Sequence, residues 1–133
     1  IAQGALVADA LGLPFVYVRS SAKDHGMKNL VEGYLEEGKK VVVVEDLIST
    51  GGSSLKAVAA LREEKQANVL GMVAIFTYQF PLAQEQFAAA NVELTTLSNY
   101  NALVEAAAEI NYIDESVVPT LQEWRKDPSN WNK

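Results

Sequence analysis

The sequence predicts an α/β protein built on a mostly parallel sheet with helices on both faces. Three observations lead there. Apolar, strand-like runs alternate with helix-period segments through most of the chain, the ordering of parallel strands joined by helical crossovers. The run Val41-Val42-Val43-Val44 is continuous and β-branched, the pattern of a strand covered on both faces. That run leads through a glycine- and serine-rich turn into a helix-period segment, as one βα unit would.

The elements follow in order. Residues 2–12 carry Ala5, Leu6, Ala8 and Leu11 near helical spacing, with Gly12 as a C-terminal stop and Pro14 unable to continue. Phe15-Val16-Tyr17-Val18 reads as a short buried strand. Arg19–Gly33 turns polar and charged and holds Gly26 and Gly33, suited to hinges; a loop of that length in a compact domain is usually functional. Leu30–Leu35 can form a strand running into the solvated turn Glu36-Glu37-Gly38-Lys39-Lys40. Val41–Val44 is the central strand, and Glu45 and Asp46 leave its end. A helix is expected over 54–65, a second buried strand over Val69–Thr77 and a helix over Leu82–Ala90. Val92–Leu97 alternates as a strand, and helices follow over Asn101–Ile110 and Ser116–Arg125. Phe15, Tyr17, Phe76 and Phe80 read as core or core-edge aromatics, and Trp124 as a helix-end residue packing inward.

Composition narrows the function classes. The 133 residues suit one domain, and 49% hydrophobic with 21% charged residues excludes general disorder. With no cysteine, disulfides, thiolate metal sites and cysteine nucleophiles are excluded, and the lone His25 excludes a multi-histidine metal cage. No apolar run approaches the ~20 residues of a membrane span. Seventeen acidic against eleven basic side chains argue against nucleic-acid or anionic-membrane partners, though a local basic loop can still grip a small anion. The chain opens on Ile1 directly into helical sequence, with no signal-peptide pattern, and reads as lacking its N-terminus.

The chemistry concentrates in Val41–Ser54, VVVVEDLISTGGSS. Gly51 and Gly52 permit backbone angles that let several N–H groups converge. Ser49, Thr50, Ser53 and Ser54 add hydroxyls, and a helix N-terminus favours an anion. The loop suits a phosphate. The carboxylates before it suit hydroxyl hydrogens or a hydrated divalent cation, so a phosphorylated sugar fits both. Taken alone, the glycines and serines serve a helix cap equally well. No lysine follows the second glycine as in a Walker loop, and the carboxylates precede the glycines, unlike a dinucleotide fingerprint.

This stretch resembles the phosphoribosyl-pyrophosphate motif of type I phosphoribosyltransferases: a hydrophobic strand, two acidic residues, then a Thr/Ser-Gly loop. Arg19-Ser20-Ser21-Ala22-Lys23-Asp24-His25-Gly26 resembles the mobile catalytic loop of the orotate phosphoribosyltransferases, with an arginine ahead of Lys-Asp-His-Gly. Ile1–Leu6 resembles the end of that family's upstream phosphate-contacting segment. The likeness spans essentially the whole chain.

The resemblance implies a type I phosphoribosyltransferase (Rossmann-like) core in a single domain over residues 1–133. A hood over the base and the first core strand would be absent. It implies Mg²⁺-dependent transfer of ribose 5-phosphate from phosphoribosyl pyrophosphate to orotate, in the cytoplasm, for pyrimidine synthesis. Glu45 and Asp46 would hold the ribose hydroxyls, Ser49, Thr50, Gly51, Gly52 and Ser53 would cradle the 5-phosphate, and Leu47 and Ile48 would also belong to the phosphoribosyl-pyrophosphate site. Ser49 would also lie near orotate. Arg19, Lys23 and His25 would contact the pyrophosphate, with Lys23, His25 and Asp46 as the catalytic set. Magnesium would be held mainly by substrate oxygens. A homodimer is implied, the 19–33 loop reaching the neighbouring site.

Two departures bear on the base and the pyrophosphate. Family members often place an arginine after the strand that ends here at Thr77, but Tyr78-Gln79-Phe80-Pro81 has none; the chain's arginines are Arg19, Arg62 and Arg125. Ser20-Ser21 stands where family loops hold a further lysine. Two alternatives compete. One is a non-catalytic regulator sensing phosphoribosyl pyrophosphate on the same fold, which would need neither Lys23 nor His25. The other is a phosphoribosyltransferase for a different base.

Overall fold

A computed structural model describes residues 1–21 and 29–131. Helix α1 (Ala2–Leu11) closes on Gly12 at φ 63°, with the Gly12 and Leu13 N–H groups returning to Asp9 and Ala8 carbonyls. Strands β1 (Tyr17–Val18) and β2 (Val31–Glu32) form a separate antiparallel ribbon. Strand β3 (Lys40–Ile48), helix α2 (Gly52–Lys65), strand β4 (Asn68–Thr77), helix α3 (Pro81–Ala89) and strand β5 (Leu94–Asn99) form a β-α-β-α-β run. Its strands lie side by side, all parallel, in the order β3-β4-β5. Helix α4 (Tyr100–Glu109), capped by the Asn99 side-chain Oδ1 accepting the Ala102 N–H, packs on β5, and α5 (Val118–Lys126) packs on α4.

Helices do lie on both faces of the sheet. Alternation along β3 sends Val41, Val43 and Glu45 toward α2, where Glu45 bonds Ser54, and sends Val44 toward α1. Buried Gly4 lets α1 approach, since a Cβ there would lie 3.0 Å from the Phe15 ring and 3.8 Å from Val44 Cβ. The core sits between α2, α3 and the sheet, around Ile48, Val58, Leu61, Met72, Ala74 and Phe87.

The strands are less covered than their composition suggests. On β4, Val69, Met72 and Ala74 are in the core, but Leu70, Val73 and Ile75 are 54%, 40% and 45% exposed. Val42 on β3 is 53% exposed, and β3 is an edge strand among the described residues. The expected buried strand at Phe15–Val18 shrinks to Tyr17–Val18, paired with β2 rather than the main sheet, and its aromatics Phe15 and Tyr17 are exposed. No helix among the described residues is long and apolar enough to cross a membrane.

Candidate active site

Strand β3 delivers the two carboxylates. Both stay inside the strand rather than leaving its end, because Leu47 and Ile48 go on pairing with Phe76 and Thr77. Ile48 is fully buried, so it can serve only through its backbone, whose carbonyl accepts the Tyr78 N–H at 3.1 Å. Glu45 faces α2: one oxygen accepts the buried Ser54 hydroxyl at 2.9 Å, the other the Asp46 N–H at 3.0 Å. Asp46 is exposed, and its Oδ1 accepts the Leu47 N–H at 2.7 Å. Its interaction with the Glu45 side chain, and then that Leu47 N–H, hold the Asp46 carboxyl below its ordinary pKa. An ionised, solvent-facing carboxylate is a strong acceptor for a diol.

Ser49 and Thr50 follow, exposed, and Gly51 turns the chain into α2 at φ 87° and ψ −6°. Glycine is required at that position twice over. The φ is left-handed, and a Cβ would sit 2.8 Å from Cε2 of the buried Phe87. Gly52 faces open space, and among the described residues no side chain caps the helix. The first-turn N–H groups stand beside the hydroxyls of Ser49, Thr50 and Ser53, with the positive end of a 14-residue helix behind them. This arrangement can hold a phosphate next to a diol.

Of the predicted pyrophosphate contacts, only Arg19 is among the described residues. Arg19 directly follows β1, its N–H on the Leu30 carbonyl and its guanidinium 3.5 Å from Glu32. That ribbon is joined to α2 near the helix's far end, where Glu64 accepts the Leu30 and Val31 N–H groups. Gly52 and Glu64 are separated by roughly 18 Å of helix. The described partners of Arg19 are thus Leu30 and Glu32 on the ribbon, not Glu45–Ser53. Lys23, His25, Asp24 and Gly26 lie outside the described residues. Gly33, at φ 107°, has its α-carbon against Val16, where a Cβ would meet Cγ1 at 3.0 Å.

Sequence reasoning missed two groups at the carboxyl edge. Ser54 had been placed among the loop hydroxyls, but it is buried and committed to Glu45. Arg125, near the end of α5, donates its Nη1 to the Gln79 carbonyl at 2.8 Å, just past β4. Gln79 is left-handed at φ 57°, and its N–H donates to Thr77 Oγ1. Tyr78 stacks on Phe80 with centroids 5.2 Å apart, and Trp124 sets its edge against both. An open cleft of about 410 Å³ runs beside them, lined by Phe76, Tyr78, Tyr100, Leu103, Leu121 and Trp124. No local sequence signal links Arg125 to Gln79, because the contact spans 46 positions.

A glycine-shaped βα turn preceded by paired carboxylates on a parallel sheet is the arrangement of a phosphoribosyltransferase fold. Residues 3–96 match the phosphoribosyl transferase domain, and the chain belongs to that family. It is 61% identical over 132 residues to an orotate phosphoribosyltransferase of Bacteroides thetaiotaomicron, covering 99% of this chain and 62% of that protein. It is 56% identical over 133 residues to an orotate phosphoribosyltransferase of Enterococcus faecalis, covering all of this chain and 63% of that one. The crystal structure of orotate phosphoribosyltransferase from Aeropyrum pernix superposes with a TM-score of 0.68 at 28% identity, over 81% of this chain and 58% of that chain. The chain therefore spans about 62% of the length of the curated relatives it matches.

Proposed function

We propose that the chain is the core of an orotate phosphoribosyltransferase, a cytoplasmic enzyme of pyrimidine synthesis. It would transfer ribose 5-phosphate from phosphoribosyl pyrophosphate to orotate, giving orotidine 5-monophosphate and pyrophosphate. The observation that carries this is the β3–α2 junction, where a solvent-facing Asp46 carboxylate stands beside an uncapped helix N-terminus that only glycine could shape. Identity of 61% to an orotate phosphoribosyltransferase supports the choice of base.

In the reaction, the orotate ring nitrogen bonds to the anomeric carbon as the bond from that carbon to the pyrophosphate oxygen breaks, and pyrophosphate leaves with the electron pair. Ser49–Ser53 hold the 5-phosphate, and Asp46 with Glu45 orients the 2- and 3-hydroxyls, which fixes the sugar against the incoming nitrogen. Ser49, first in the loop, is also the residue set nearest the base. Negative charge grows on the leaving group, so Arg19, Lys23 and His25 stabilise the transition state more than the ground state; His25 can also donate a proton. The carboxylate pair fits Mg²⁺, a hard cation that prefers oxygen and keeps several waters, with Asp46 exposed to it. Bound mainly through substrate oxygens, Mg²⁺ would offset charge on the pyrophosphate.

We further propose a homodimer in which the 19–33 segment serves the neighbouring site. The distance of its root from the cradle along α2 supports this. We also propose that residues 1–133 are one core domain, and that the longer protein adds a hood over the base and a further core strand. The unpaired edge of β3 and the bare Val42, Leu70, Val73 and Ile75 support that reading.

The test follows orotate consumption by absorbance with phosphoribosyl pyrophosphate and Mg²⁺, with adenine and hypoxanthine as controls. Loss of orotate alone is expected. Turnover of a purine instead, or no turnover by a chain extended to its relatives' length, overturns the reading; the second outcome would favour the regulator.

A further inference from the structure

Four residues other than glycine adopt a left-handed backbone among the described residues: Gln66, Gln79, Asn91 and Asn111. Gln66, Asn91 and Asn111 stand at the ends of α2, α3 and α4, the ordinary place for that conformation. Gln79, at φ 57°, instead follows a strand, just past the end of β4. A side chain makes this conformation unfavourable, so it persists where neighbours impose it, and such residues gather at functional sites. Two neighbours impose it here. The Gln79 N–H donates to Oγ1 of buried Thr77 at 3.0 Å, and its carbonyl accepts the Arg125 Nη1 at 2.8 Å. The contact is kept at a cost, since Gln79 Oε1 and Arg125 Nε are both buried without a partner among the described residues. Trp124, next to Arg125 on α5, sets its edge against Tyr78 and Phe80 on either side of Gln79. Helix α5 thus grips the turn by its backbone with one side chain and by its rings with the next.

The place of this turn bears on the base. Among the described residues β4 is the one strand bordering β3, and the Tyr78 N–H is bonded at 3.1 Å to the carbonyl of Ile48, the residue before Ser49. The turn therefore adjoins the root of the phosphate loop, at the carboxyl edge where ligands of parallel sheets bind. We propose that Arg125 is a positioning residue for the base: by holding the Gln79 carbonyl it fixes the left-handed turn against which the base lies. This rests on the phosphoribosyl-transfer reading above, in which the base bonds directly to a sugar held at Asp46 and Ser49–Ser53. Sugar and phosphate are held by β3 and the start of α2, whereas Arg125 acts on the turn, so its loss is felt through the base. Tight placement matters there, because a misplacement of about 1 Å can cost on the order of a hundredfold in rate.

Steady-state kinetics and amide hydrogen exchange at Gln79 test it. Arg125→Ala should speed exchange of the Gln79 N–H roughly tenfold, the scale of a lost hydrogen bond. It should lower kcat/KM for orotate roughly tenfold while KM for phosphoribosyl pyrophosphate stays within about twofold. Arg125→Lys keeps one charged donor for the carbonyl and should fall between wild type and alanine in both readouts; it is the folded comparison should alanine loosen α5. Gln79→Gly added to Arg125→Ala should recover part of the orotate kcat/KM, because glycine takes the left-handed backbone without being forced. Lys126→Ala removes the neighbouring charge, which pairs with Glu123, and should leave both readouts unchanged. A purely structural Arg125 would lower the melting temperature yet leave the orotate kcat/KM intact well below it, and that result overturns the proposal. So does an equal loss for both substrates, and so does a double variant as poor as Arg125→Ala. A wild-type protein, extended to its relatives' length, that turns over no base defeats the phosphoribosyl-transfer reading itself, whereas an active wild type with an equally active Arg125→Ala defeats only the role of Arg125.

Discussion

Gly51→Ala isolates the geometry on which the phosphate loop depends. Two costs are separable at this position. The backbone sits at φ 87°, and a left-handed conformation costs an alanine about 1–2 kcal/mol. The new methyl would lie 2.8 Å from Phe87 Cε2 and 3.2 Å from Cδ2, and Phe87 is only 4% exposed within the core. Its ring cannot swing into solvent, so overpacking adds about 1–3 kcal/mol. Together these predict a loss of about 2–5 kcal/mol, read as a fall in the urea midpoint at unchanged slope. Gly52→Ala is the matched control. Its Cβ meets nothing, and alanine is a better helix former, so stability should hold or rise by up to about 1 kcal/mol. The added methyl crowds the loop where a phosphate would approach, so affinity for phosphoribosyl pyrophosphate should fall in a protein that is no less stable. Equal urea midpoints for Gly51→Ala and wild type would refute the reasoning about both φ and Phe87.

Further expectations follow from the same geometry. Asp46→Asn should weaken phosphoribosyl pyrophosphate binding by removing the ionised diol acceptor, measured by calorimetry; unchanged affinity would remove Asp46 from that role. Because the Asp46 pKa is lowered in the folded state, its stabilisation is fully present above the unfolded value of about 4 and is lost as pH falls through the folded value. Urea midpoints of wild type and Asp46→Asn should accordingly converge as pH drops from 6 toward 3. Ser54→Ala strips the partly buried Glu45 of a 2.9 Å donor and should cost about 1–3 kcal/mol, with a matched loss of sugar affinity if Glu45 orients the diol. Lys23→Ala should reduce kcat far more than it raises the orotate KM, and mixing it with Asp46→Asn protein should restore some activity if each site draws Lys23 from its neighbour. No recovery would mean that each chain serves itself.

Where local chemistry decides the structure, the sequence was a good guide. The β-α-β-α-β order and the Gly12 stop come from residue-level preferences that nothing distant overrides. Boundaries moved where a backbone group was claimed by a neighbour. The alternation from Val92 suggested a strand, but the Val92 N–H closes the end of α3 on the Phe87 carbonyl, so β5 starts at Leu94 and runs to the cap residue Asn99. Coverage was the least legible property. Four consecutive valines look alike whether the second lies under a helix or in solvent, and Val42 is in solvent because nothing described here packs over it. In the site, the Gly51 turn and the Asp46 carboxylate were readable from spacing. The Arg125–Gln79 and Glu64–Leu30 contacts were not, since they span 46 and 34 positions and depend on how helices pack.

The three arginines show how the fold distributes its strong cations. Arg62 spans from α2 to the end of α3, donating to the Ala90 and Asn91 carbonyls at 2.7 and 3.2 Å. Arg125 ties α5 to the turn after β4, and Arg19 pairs with Glu32 on the ribbon. Two of the three therefore hold helices to backbone carbonyls, a job that suits a planar donor which never loses its charge. Only Arg19 stands at the root of a segment with further cations, and four residues of fully extended chain from Arg19 to Lys23 reach about 14 Å at most. The Leu30 that holds the Arg19 N–H is itself held by Glu64, about 18 Å of helix from the Gly52 end that carries the loop. The mixed-variant experiment decides, by recovery or its absence, whether Lys23 serves its own loop or a neighbouring subunit's.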